Sequence, residues 1–231
     1  MDATLDSVAM SDETREEALP REEAVGPVTP QGPPSDAGLD LDEEARERRH
    51  AALATIRRFG DPVLKSPASP VSEFDEGLRE EAERMVGVMR DAIGVGLAAT
   101  QLGIMRRLLV FQAGPDAPAT PLVNPEIEWT SGDLATAEEG CLSLPGVIVD
   151  VERPLHVRVR GLGIAGDPML IEASGLEARV LQHEIDHLDG VLMVERTTGE
   201  QRKGALRALR EGTSFSPPRE EEEAEAAPAE A

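Results

Sequence analysis

The chain has 231 residues, one cysteine and a formal net charge of −22, which is length for one catalytic-sized core with tails and too little for two full domains. A lone thiol excludes an internal disulfide, so packing must supply the stability, and the acidity opposes tight binding to DNA or RNA. No run is apolar enough to cross a bilayer, and the acidic start lacks the basic head and apolar middle of a secretory signal; the expected setting is the cytoplasm, without a membrane partner.

The charge sits mostly at the ends. Residues 1–50 hold fourteen acids to five bases, and residues 214–231 hold six to one. Poor in large apolar side chains, these ends bury too little surface to offset the entropy of ordering. The expected organisation is a disordered acidic leader over 1–50, a catalytic domain over 51–213 and a disordered acidic tail over 214–231. Within the leader a short helix is expected from about Asp42 through Arg48, its acids first and bases later as the helix dipole favours.

From Asp75 to Ile93, Leu78, Ala82, Met85, Val86, Met89 and Ile93 recur at three/four spacing, which predicts an amphipathic helix ended by Gly94 and Gly96. Strands are expected over Arg106–Phe111 and over Thr120–Glu128 with a break at Asn124-Pro125. More follow at Val147–Val151, Leu155–Arg160 and Met169–Glu172, with Pro154 and Gly161-Leu162-Gly163 bounding the middle one. Ser174-Gly175-Leu176-Glu177 reads as a capping box that opens a helix running to Gly190. Strands and a late helix without regular alternation predict an α+β fold, with mixed or antiparallel strands packed around a central C-terminal helix.

That helix carries His183-Glu184-Ile185-Asp186-His187. Imidazoles four residues apart share one helical face with Leu176 and Val180, and the glutamate beside the first supplies an acid/base group, so the run reads as a metal site. A peptidase of this pattern takes a third ligand downstream, where no histidine follows and only Glu195 and Glu200 are candidates. Cys141 lies upstream in Glu139-Gly140-Cys141-Leu142-Ser143. It is either a small buried hydrophobe or a thiolate ligand, and its company favours ligation. Gly94-Val95-Gly96-Leu97-Ala98-Ala99-Thr100-Gln101 lacks the ending of a phosphate loop. It suits a close backbone approach to an extended ligand, with the Gln101 amide as a donor. His50 and His156 fall among charged residues and are expected to be exposed or packed.

Taken in chain order, Gly94–Gln101, Glu139–Ser143 and His183–His187 resemble the three signatures of the peptide deformylase family, and the resemblance spans about Ala54 to Arg210. It implies a metal-dependent hydrolase that removes the formyl group from N-formylmethionyl nascent peptides and releases formate. It places the metal ligands on Cys141, His183 and His187 and the general base on Glu184. The oxyanion is expected to meet the metal, the Leu142 backbone N–H and the Gln101 amide. Val95, Gly96 and Gly140 are expected to bind the peptide backbone, and Val180 to line the methionine slot. The implied ion is Fe²⁺, one per chain, for which Zn²⁺, Ni²⁺ or Co²⁺ can substitute.

Arg179 departs from apolar versions of its position, and its stem is expected to cover the pocket while its head stays in water. Glu139 and Arg153 are expected to pair near the site. Arg202, Lys203, Arg207 and Arg210 are expected to form a solvated helix face, so any ribosome contact is weak and local. The readings set against deformylation are a metallopeptidase and a deformylase-like binding protein without turnover, which would have no need of Glu184.

Overall fold

The computed structural model describes residues 40–114 and 116–218; the disorder expected over 1–39 and 219–231 lies outside them. The helices are α1 (Glu43–Thr55), α2 (Glu76–Asp91), α3 (Gly175–Leu188) and α4 (Gly199–Glu211). The strands are β1 (Gly96–Ala98), β2 (Leu108–Phe111), β3 (Thr120–Thr130), β4 (Leu134–Cys141), β5 (Leu144–Pro154), β6 (His156–Leu162) and β7 (Pro168–Ser174). Five strands form an antiparallel sheet in the order β1-β2-β3-β6-β7, and β4 and β5 form a separate antiparallel hairpin. This is the α+β architecture. Between described residues, parallel pairing occurs only as the isolated bridges Ser69 to Arg106 and Val147 to Phe215.

The β1–β2 end of the five-stranded sheet is buried on both faces, which is why β2 reads as an unbroken apolar run. Leu108 and Val110 face the core shared with α1 and α2, including Leu53, Leu78, Met85 and Met89. Their neighbours Leu109 and Phe111 face the core shared with α3, including Val180, Leu181, Ile185 and Leu188. Alternation along one strand thus feeds two cores. A third core, with Val147, Val149 and Val151, joins the hairpin to α4. Because α3 lies between layers, every residue from Ala178 to Leu188 is buried.

Asp75 caps α2, its Oδ1 accepting from the Leu78 N–H at 2.9 Å. The residue that ends α2 in the left-handed region is Ile93 at φ 60°, where the sequence pointed to the glycines after it. The break in β3 is real: Asn124 stands at φ 51° and its amide bonds both the N–H and the C=O of Val71, each at 2.8 Å.

Three expectations need correction. First, α1 begins at its Asp42 cap but continues to Thr55, because Arg49, Ala52 and Leu53 are buried; the expected boundary at 50/51 falls inside this helix. Second, Ser174 precedes α3 without a side-chain capping bond, since its hydroxyl is engaged with His156 Nδ1 at 2.7 Å. Third, residues just past 213 are docked: Phe215 donates to Gly146 O and accepts from Ile148 N, both at 2.8 Å. Its ring lies where a Cβ on Gly204 would stand. Strand β4 was not expected at all, because in Leu-Ala-Thr-Ala-Glu-Glu a single β-branched residue stands among alanines and glutamates without clear apolar alternation.

Candidate metal centre

Strand β4 carries Glu139 and Cys141, and across a register shift at Gly140/Cys141 both side chains meet α3, at His183 and His187. Opposite them, α3 presents His183 and His187 one turn apart, with ring centroids 5.0 Å from each other. Cys141 Sγ lies 3.2 Å from His187 Nε2. One ligating atom from each of Cys141, His183 and His187 falls within 4.8 Å of the others, and all three residues are buried. This is the only such group of three or more among the described residues.

The donor set fits a divalent transition ion. His183 Nδ1 is engaged by Glu139 Oε2 at 2.9 Å, while the buried Nε2 has no hydrogen-bond partner among the described residues. A ring fixed through one nitrogen and left open at the other is how ligating histidines are held. One thiolate and two imidazoles leave a fourth position for solvent or substrate. Glu195 and Glu200, the downstream carboxylates a peptidase would need, do not join: Glu195 pairs with Lys65 and accepts from Leu192 N, and Glu200 lies in the first turn of α4.

Glu184 is buried beside His183, and its Oε2 has no partner among the described residues. Burial pushes its carboxyl up to about 7, against the pull of the His183 charge. Gly96 makes room for it, since a Cβ there would collide with Glu184 Oε1. Gln101 is fixed from both ends. Its Oε1 accepts from Ala98 N at 2.8 Å, and its Nε2 lies 3.3 Å from Ser143 Oγ and 3.7 Å from Cys141 Sγ. Leu142 follows Cys141 and packs into the α2 core. Val95 is half-buried with its C=O taken by Gln112 N at 2.8 Å, Gly140 pairs with Ile148 in the hairpin, and Val180 is buried against the sheet.

A ring of charge surrounds these groups. Arg153 donates to both Glu139 oxygens, at 2.6 and 2.9 Å, and to Asp186 Oδ2 at 2.9 Å; the expected Glu139–Arg153 pair is present. Burial alone would raise the Glu139 carboxyl, but hydrogen bonds from His183 and Arg153 hold it well below the usual carboxylate range. Asp186, which sequence reasoning passed over, also accepts from Arg196 Nε and Nη2 at 3.1 and 2.5 Å. Its signal was an acid inside the histidine run.

The reading of Arg179 is corrected. Its side chain is only 8% exposed and its head meets protein, not water: Glu139 Oε1 at 2.8 Å, Val151 O at 2.9 Å and Ala135 O at 2.7 Å. A helix buried on all sides offers a long side chain no route to solvent. Arg202, Lys203, Arg207 and Arg210 are exposed along α4, as expected, and His156 is packed on Ser174.

A model of the polypeptide deformylase family matches residues 53–203. A peptide deformylase of Acidothermus cellulolyticus is 46% identical over 160 residues, covering 69% of this chain and 87% of the relative. The crystal structure of the Thermotoga maritima peptide deformylase superposes with a TM-score of 0.60 at 44% identity, over 62% of this chain and 96% of that one. A Synechococcus elongatus peptide deformylase, solved in complex with actinonin, gives a TM-score of 0.63 at 43% identity over 69% and 86% of the two chains. Motif order, buried donor cluster and these likenesses agree. The chain belongs to the polypeptide deformylase family, the metal-dependent hydrolases that remove the N-formyl group from nascent polypeptides.

Proposed function

We propose that Cys141, His183 and His187 hold the ion, that Glu184 moves the proton, and that Gln101 with the Leu142 backbone N–H receives the oxyanion. The observation that carries this is the convergence of three ligating atoms, from a strand and a helix, within 4.8 Å in a buried site. When bound, a divalent ion supplies Lewis acidity and makes coordinated water more acidic. Glu184, poised near neutrality by burial, takes a proton from the attacking water and passes it to the leaving amine. Gln101, anchored through Oε1, keeps its amide hydrogens directed at the site without reorganisation.

The peptide adds along the edge strand β1, using the backbone at Val95 and Gly96 and that of Gly140 across the cleft. Val180 lines the slot for the methionine side chain. A thiolate ligand suits a softer divalent ion, and the family resemblance supports Fe²⁺, with Zn²⁺, Ni²⁺ or Co²⁺ as substitutes. Air then inactivates the iron form through the metal or the thiolate. The enzyme acts in the cytoplasm on emerging chains. Its ribosome contact is weak, because a net charge of −22 opposes polyanions.

The test is formate release from formyl-Met-Ala-Ser by protein prepared without oxygen and loaded with Fe²⁺. Glu184→Ala should keep the metal and lose about 10²- to 10⁴-fold in turnover, whereas Cys141→Ser should fail to retain the metal. Metal-loaded parent protein that releases no formate would refute the assignment, and an unimpaired Glu184→Ala would refute the proton-transfer role.

A further inference from the structure

The proposed ligands reach the centre on two independent elements: Cys141 on β4 and the two histidines on α3. Their mutual distances therefore depend on how the β4–β5 hairpin is held against that helix. Arg179 stands one turn before His183 on α3 and spans the junction. Its Nη1 donates to Glu139 Oε1 at 2.8 Å and to Val151 O at 2.9 Å, and its Nη2 donates to Ala135 O at 2.7 Å. Ala135 belongs to β4 and Val151 to β5, so one planar group engages both strands of the hairpin. It also engages the carboxylate that fixes His183.

We propose that Arg179 is a positioning residue of the metal centre, clamping the hairpin to α3 and so setting where Cys141 Sγ stands relative to His183 and His187. The proposal rests on the ligand assignment above. Charge compensation does not account for Arg179, because Arg153 already binds both oxygens of Glu139 and one of Asp186. What Arg179 adds is a grip on main-chain carbonyls, which have no rotamers through which to escape. A lysine would carry the same charge on one compact ammonium and could not reproduce the fork.

The centre itself supplies the readout. Cobalt-loaded parent protein should show thiolate-to-cobalt charge-transfer absorption and slow release of the ion to excess chelator. Arg179→Met, studied below its own unfolding temperature, should show a weakened or shifted band and release cobalt about tenfold faster or more, the scale of supporting-ligand effects. Arg179→Lys should fall between the two. Arg158→Met, which removes an exposed pair with Glu172, should leave band and release rate at parent values.

If Arg179→Met loses thermal stability but keeps the parent band and release rate, Arg179 serves only the fold and the proposal is wrong. Should Arg179→Met not fold, Arg179→Lys decides, and parent-like release from it overturns the clamp. A parent without the charge-transfer band would instead defeat the ligand assignment, and the clamp with it.

Discussion

Gly96 and Glu184 show how little slack the centre has at the scale of single residues. A methyl group on Gly96 would overlap Glu184 Oε1 and stand 2.8 Å from its Cδ and Cγ, so either β1 or the carboxyl must move. Gly96→Ala should therefore lower kcat by about tenfold to a hundredfold, the scale of a misplaced catalytic group, at unchanged metal content. Paired kinetics and metal analysis check this, and an unaltered kcat would show that Glu184 tolerates displacement. That His183, His187 and Cys141 would come together was legible in the sequence, the histidines from their four-residue spacing and Cys141 from its standing as the lone thiol beside such a run. Arg179 and Asp186 were not, because what they touch depends on where a hairpin more than twenty residues away comes to rest.

Elements tell a similar story. The presence of α2 and α3 and the position of β2 follow from local apolar spacing, whereas β4 takes its conformation from pairing with β5. Gly190 terminates α3 at φ 74°, and a Cβ there would stand 2.8 Å from the Lys65 carbonyl carbon. Gly190→Ala should thus destabilise by more than about 1 kcal/mol, measured by denaturant unfolding; an unchanged midpoint would mean that the turn relaxes freely.

Near that turn Lys65 pairs with Glu195, joining two short 3₁₀ segments, Pro62–Lys65 and Met193–Glu195. Burial would raise Glu195, but bonds from Lys65 and the Leu192 N–H outweigh it and lower the carboxyl. A depressed folded pKa means a contribution fully present above the unfolded value of about 4.3 and lost as pH falls through the folded one. Parent protein should accordingly out-melt Glu195→Gln at neutral pH, with the gap closing in acid. A gap that widens on acidification would contradict the pairing.

For the whole molecule, the described residues form a packed unit wider than composition indicated. It runs from the Asp42 cap of α1 to the docked segment around Phe215, because apolar side chains at both ends are buried in the shared cores. We expect a chain of residues 40–218 to keep the parent melting temperature within about 2 °C, while one starting at 51 melts lower because it severs α1. Calorimetry distinguishes them, and equal melting of the two would return the boundary to the middle of the helix. Composition located the acidic ends but could not see that a charged helix buries Arg49 and Leu53.

The most direct test of the account is X-ray absorption at the metal edge of the zinc-loaded protein. It should show one sulfur neighbour at about 2.3 Å and nitrogen or oxygen neighbours near about 2.0–2.1 Å, with the sulfur absent in Cys141→Ser. A parent spectrum with nitrogen and oxygen neighbours alone would contradict a centre built from Cys141, His183 and His187.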